Sequence, residues 1–163
     1  MTVAEARSNL NNDKYKQTFS MLYPSSDYER QKERYLNALD HFKNAYHPED
    51  DAQITILSAP GRTEIAGNHT YHQHGCFVAA SVNYDVIGVV AKSEGAAQIK
   101  SEGYPEDRIA LDDLSIIPAE INTSAALIRG IMAYFDHKRY NVGGFVAYTT
   151  SEVLKGSGLS SSA

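Results

Sequence analysis

Between Ser58 and Gly75 the sequence sets one arginine, one glutamate, one asparagine and three histidines among three glycines and a proline. Arg62 carries a permanently charged, planar fork of donors, the group best matched to a phosphate or carboxylate. Asn68 can donate and accept at once. His69, His72 and His74 supply imidazoles at His-x-x-His-x-His spacing, which could converge on Zn²⁺, although no cysteine, carboxylate or fourth histidine is obviously poised to complete the set. Glycine and proline at this density break regular structure, so Ser58–Gly75 is expected to be a shaped loop or turn pair. Forced backbone shape combined with so many hydrogen-bonding groups reads as a ligand site rather than a spacer, the alternative being an ordinary polar connection.

A second concentration lies at the end of the sequence. Gly156 and Gly158, followed by Leu159, Ser160, Ser161 and Ser162, offer backbone N–H groups and hydroxyls to an anion, ideally where a helix begins. Without a ligand, the same composition would be a flexible Gly/Ser tail. Cys76 is the single cysteine among 163 residues, so neither an internal disulfide nor a thiolate metal cluster can form. His74, two residues away, could activate it as a nucleophile, but a buried structural thiol is the expectation.

The formal net charge of −5, with no run of more than two adjacent basic residues, leaves no basic stripe to neutralise nucleic-acid phosphates. There is no bilayer-length apolar run and no charged-then-apolar signal segment, so a soluble cytoplasmic protein without a membrane partner is expected.

The elements that must position these residues follow from periodicity. Residues 1–47 look helical. Lys14–Leu22 is expected to turn Tyr15, Phe19 and Leu22 inward and to stop before Pro24. Ser26 and Glu29 suggest a capping box for a longer helix whose apolar stripe is Tyr28, Tyr35, Leu36, Leu39, Phe42 and Tyr46. His41 and His47 are then surface residues. Glu49–Asp51 makes a solvated acidic break.

Ile54–Leu57 alternates like a strand. Phe77–Val82 and Asp85–Ala91 read as two strands or one long bent one. Gln98–Lys100 and Arg108–Leu111 are shorter strands separated by a Gly103-Tyr104-Pro105 turn. A helix beginning near Asn122 or Thr123 carries a wide apolar face of Ala126, Leu127, Ile128, Ile131, Met132 and Phe135. Phe145–Thr149 reads as a last strand. The sum is α+β, with antiparallel strands and helices on one side.

Taken in order, Ala59-Pro60-Gly61-Arg62, Gly67-Asn68-His69-Thr70 and Gly158-Leu159-Ser160-Ser161-Ser162-Ala163 resemble galactokinase, of the GHMP family of small-molecule kinases, and Ala125–Gly130 is similar to a helix of that family. The resemblance implies the GHMP-kinase N-terminal domain, a ribosomal-protein-like two-layer sandwich of mostly antiparallel sheet and helices, here incomplete. On this reading residues 1–47 form an N-terminal helical segment, and residues 48–163 a partial domain ending at the phosphate-binding loop.

It also implies transfer of the ATP γ-phosphoryl group to galactose with Mg²⁺, a reaction that depends on positioning and charge neutralisation more than on covalent help. Arg62 matches the arginine beside the reacting hydroxyl, and His69 a sugar ligand. Asn68 stands where many galactokinases carry glutamate, and Tyr71, followed by His72, takes the place of an aspartate that grips ring hydroxyls. Gly156, Gly158, Leu159, Ser160, Ser161 and Ser162 match the ATP phosphate loop, with Ser161 on the Mg²⁺ side. The family's catalytic aspartate lies beyond that loop, and Asp85, Asp112 and Asp113 do not match it. A chain ending at Ala163 is therefore expected to be inactive by itself and, with apolar faces left uncovered, to self-associate. A non-catalytic sugar-binding or regulatory relative is the alternative.

Overall fold

Thr2 begins the fold with a capping box. Its hydroxyl accepts from the Glu5 amide at 3.1 Å, and the Glu5 carboxylate accepts from the Thr2 amide at 2.9 Å, which satisfies two otherwise orphaned donors and starts helix α1, Val3–Asn11. The computed structural model describes residues 1–67 and 74–153. Helix α2 spans Lys16–Leu22, and after a 3-10 turn at Ser25–Asp27 helix α3 runs over Tyr28–Tyr46. The capping box expected from Ser26 and Glu29 does not form. Ser26 lies within the 3-10 turn, and Asp27, the residue before α3, directs its carboxylate to Arg30 at 2.7 Å instead of to the helix amides. In α2 the residue turned inward beside Phe19 is Tyr23, while Leu22 is exposed, because the chain turns extended at Tyr23.

The stripe on α3 behaves as its spacing predicts: Tyr35, Leu39 and Phe42 are buried, and Tyr28, Leu36 and Tyr46 pack partly buried at its margins. His41 and His47 are exposed.

The strands are β1 Ile54–Ala66, β2 Val78–Ser93, β3 Ala96–Ser101, β4 Glu106–Ala110 and β5 Gly144–Ser151, in the sheet order β1-β2-β5-β3-β4. Three neighbouring pairs are antiparallel and β3–β5 is parallel, so the sheet is mixed. Helix α4, Ser124–His137, connects β4 to β5 and is capped by the Thr123 hydroxyl.

Strand β1 runs well past Leu57, through the Pro60-Gly61-Arg62 stretch expected to be loop. It is an edge strand, where a residue without an N–H costs no ladder bond on the open side. The ladder skips between Pro60 and Arg62, and again between Glu64 and Ala66, so proline and glycine interrupt the pairing at the first skip without ending the strand.

The helices divide between the two faces of the sheet. Ile87, Val89, Ala91 and Tyr148 join Phe19, Leu39 and Phe42 in one core. Ala97, Ile109 and Phe145 pack with Met132 and Ile128 of α4 in a second. Residues directly opposite in a ladder share a face and successive residues alternate. Since Tyr148 belongs to the first core and Phe145, three residues earlier on the same strand, to the second, α1–α3 cover one face and α4 the other. This corrects the expectation of helices on one side. Only a narrow stripe of α4 is covered, leaving Leu127 and Ile131 exposed.

Candidate functional site

Arg62 stands on β1 opposite Ser81, immediately after the first skip in the ladder, and is exposed. Its guanidinium carbon lies 5.5 Å from the centroid of the Phe77 ring, within cation–π range, so an aromatic face limits where the fork can point. Gly61 beside it is buried. A β-carbon there would lie 3.1 Å from Val82 Cγ2, 3.2 Å from Val153 Cγ2 and 3.3 Å from the Tyr84 carbonyl, so the missing side chain allows three segments to close together.

Gly67 closes the far end of β1. Its φ of +103° falls in the region that favours glycine, and a β-carbon would sit 2.6 Å from the Cys76 carbonyl oxygen and 2.6 Å from Phe77 Cα. This contact forms the neck of the connection between β1 and β2. The predicted sugar ligands Asn68, His69, Tyr71 and His72 occupy that connection and lie outside the described residues. So do Gly156, Gly158, Leu159, Ser160, Ser161 and Ser162. Two histidines of the candidate zinc set fall among them, and the third, His74, is exposed. Among the described residues no group of three or more His, Cys, Asp or Glu side chains could hold a metal ion. Cys76 is exposed, not buried as expected, because it lies in the neck before β2 begins.

The described ends of the two motif-bearing segments meet. Val153 is buried, with Cγ2 near Gly61, and the Glu152 amide donates to the Asp85 carbonyl at 3.0 Å. Val153 therefore stands against the residue that precedes Arg62.

Asp85 is the residue that the sequence reading passed over. Buried in β2 opposite Pro60, its carboxylate accepts from Ser58 Oγ, from the Tyr23 hydroxyl at 2.6 Å and from Arg34 Nη1 at 2.6 Å. Tyr23 and Tyr35 share a hydrogen bond of 2.9 Å. Burial, and then the bond to Asp85, push the Tyr23 phenol well above its ordinary range, and burial raises Tyr35, so both stay protonated as donors. An acidic residue within a valine-rich strand was the available signal, since a carboxylate among core positions needs partners.

Two clefts lie away from Arg62. One, of about 330 Å³, is lined by Arg30, Arg34, His41, Glu102, Tyr148 and Glu152 among others. Its arginines are already paired within the chain: the partly buried Arg34 with Asp85, and the exposed Arg30 with Asp27 and Glu152. The other, of about 290 Å³, is mainly apolar, between the end of α4 and β5, with Ile131, Phe135 and Tyr140 on its walls.

The arrangement of the β1–β2 hairpin, with a bulged edge strand carrying an arginine and a pinched neck below a polar connection, can be set beside known proteins. Residues 40–92 match the galactokinase galactose-binding signature. That match takes in Arg62, the whole polar connection and Asp85. The fold is similar to that of Lactococcus lactis galactokinase in its complex with galactose, with 22% identity and a TM-score of 0.68 over 78% of this chain. The match spans 34% of that enzyme's length. The α+β class with a mixed, mostly antiparallel sheet agrees with the galactokinase N-terminal domain. No described helix is long and apolar enough to cross a membrane.

Proposed function

We propose that this chain is the sugar-binding portion of a galactokinase-like kinase, a member of that family whose complete form converts ATP and galactose to ADP and galactose 1-phosphate. The observation that carries the reading is the galactose-binding signature over residues 40–92, in a hairpin where Gly61, the residue before its arginine, packs against the buried Val153. Arg62 would face both the reacting hydroxyl and the transferring phosphate, where a fixed positive charge offsets spreading negative charge. Asn68 and His69 would pair with sugar hydroxyls. Tyr71, in place of a carboxylate acceptor, would narrow or alter the choice of sugar, because a site built on hydroxyl pairing discriminates strongly when one partner changes.

Mg²⁺-ATP would supply the phosphoryl group. What supports this is that Val153, two residues beyond the end of β5, lies next to Gly61; backbone donors and hydroxyls of Gly156–Ser162 would serve the phosphates, with Ser161 on the Mg²⁺ side. The chain alone is expected to bind sugar without turning it over, in the cytoplasm, and to self-associate through its uncovered apolar surface, including Leu127 and Ile131.

Titration calorimetry with galactose and related sugars, with and without Mg²⁺-ATP, tests the reading. Binding of a sugar without sugar phosphate formation supports it, and silence towards every sugar defeats it. Turnover above background would overturn the inactivity. A non-catalytic sugar-binding or regulatory relative is the second reading, favoured by Tyr71, and sugar binding indifferent to ATP would select it.

A further inference from the structure

We propose that Asp85 is a positioning residue that holds the strand segment bearing Arg62 and the segment ending at Val153 in register. It lies at the last rung before the ladder skips towards Arg62, opposite Pro60, and is 2% exposed. On one side its carboxylate accepts from Ser58, four residues before Arg62 on the same strand. On the other its carbonyl oxygen accepts from the Glu152 amide at 3.0 Å, one residue before Val153. From the helices, Tyr23 donates to the carboxylate at 2.6 Å, and Arg34 donates to both the carboxylate and the carbonyl, at 2.6 and 2.9 Å. A single buried residue is thus bonded to the segment that presents Arg62, to the segment that leads into the terminal Gly/Ser motif, and to the N-terminal helices.

A buried carboxylate with three donors keeps a fixed orientation, because any rotation would leave a partner unpaired in a low-dielectric site. Arg34 extends the same constraint by donating to the Thr150 carbonyl of β5 at 3.2 Å. The N-terminal helices therefore clamp both site segments through Asp85, in addition to covering an apolar face. The consequence for sugar binding rests on the function proposed above, whereas the coupling between segments does not.

Hydrogen exchange followed by mass spectrometry on the whole chain tests the coupling, with Asp85→Asn, Ser58→Ala and, as a control in the other core, Ile109→Val. In Asp85→Asn, residues 58–67 and 151–153 should lose protection together, about tenfold, while residues 97–110 change less than about twofold. The control should show the opposite pattern. Even acceleration across the sheet, or acceleration of one site segment alone, overturns the proposal. If Asp85→Asn does not fold, Ser58→Ala decides, with about a threefold acceleration expected in both segments, since it removes one neutral donor and keeps the Arg34 pair; no change in either segment overturns it. Where calorimetry shows that the native chain binds galactose, Ser58→Ala should weaken it by about threefold or more, and an unchanged affinity overturns the positioning role. A native chain that does not bind galactose removes the sugar-site reading and leaves the exchange data to decide the coupling.

Discussion

Val153 packs against Gly61, its Cγ2 only 3.2 Å from the point where a β-carbon on Gly61 would stand. The contact matters because Gly61 precedes Arg62, and Val153 leads into the segment that carries the terminal glycines and serines. Val82 Cγ2 and the Tyr84 carbonyl close the same point at 3.1 and 3.3 Å. Any side chain at Gly61 must therefore push the Val82 and Val153 methyl groups and the Tyr84 carbonyl aside by a few tenths of an ångström. Gly61→Ala should destabilise the fold by about 1–3 kcal/mol, and Gly61→Val by more, because overpacking forces neighbours off their rotamers. Urea unfolding measures the loss. An Ala variant as stable as the native chain would mean that the three segments are not closely packed.

The buried tyrosines set an alkaline limit. Burial, followed by the bond to Asp85, raises the Tyr23 phenol above its reference of 10.0, and burial also raises Tyr35, Tyr46 and Tyr148. Tyr28, held by Asp13, is pushed up to about 12, with burial the largest cause. Above the unfolded value the unfolded chain has released protons that the folded chain keeps, so stability falls as pH rises from there through the folded values. Each retained proton contributes a slope of about 1.4 kcal/mol per pH unit. Stability should be flat from neutral pH to near 10 and then drop steeply. Tyr23→Phe, although less stable at neutral pH, should show a shallower alkaline slope. Equal slopes in the two proteins would remove Tyr23 from the account.

Arg129 illustrates what a sequence hides. It occurs in a stretch that reads as an ordinary amphipathic helix, yet it is buried in α4, with Nε and Nη2 donating to the Glu120 carboxylate at 2.8 Å each and Nη1 to the Asp113 carbonyl at 2.8 Å. The guanidinium ties the irregular link after β4 to the helix, and in return holds the Glu120 carboxyl below its ordinary range. Arg129→Ala should cost about 2–4 kcal/mol, while Arg129→Lys should recover only part of the loss, since an ammonium cannot serve three acceptors in that plane. Chemical denaturation of the two variants checks the difference.

The same contrast runs through the whole chain. The amphipathic stripe on α3 and the valine-rich alternation of β2 were legible because they depend on local period alone. The continuation of β1 through Pro60 was not, because it depends on β1 lying at the edge of the sheet, a fact of topology. Asp85 could not be assigned partners from sequence when Tyr23 is 62 positions away and Arg34 is 51. For the candidate site, Arg62 and the glycines around it were visible as chemistry. The closeness of Gly61 to Val153 needed the fold.

Arg62 provides the sharpest separation between stability and function. It is exposed, and its described contact is with the Phe77 ring at 5.5 Å, an interaction worth about 0.5–1 kcal/mol at an exposed position. Arg62→Ala should therefore leave the unfolding midpoint nearly unchanged. If the arginine holds the reacting hydroxyl and offsets phosphate charge, the same substitution should weaken sugar binding by about tenfold, the loss expected on removing a charged hydrogen bond. Arg62→Lys should restore charge but not the planar fork, and so recover affinity only in part. Calorimetry and urea unfolding on the same samples give both quantities. A variant that loses stability while keeping its sugar affinity would place Arg62 in the scaffold and remove it from sugar recognition.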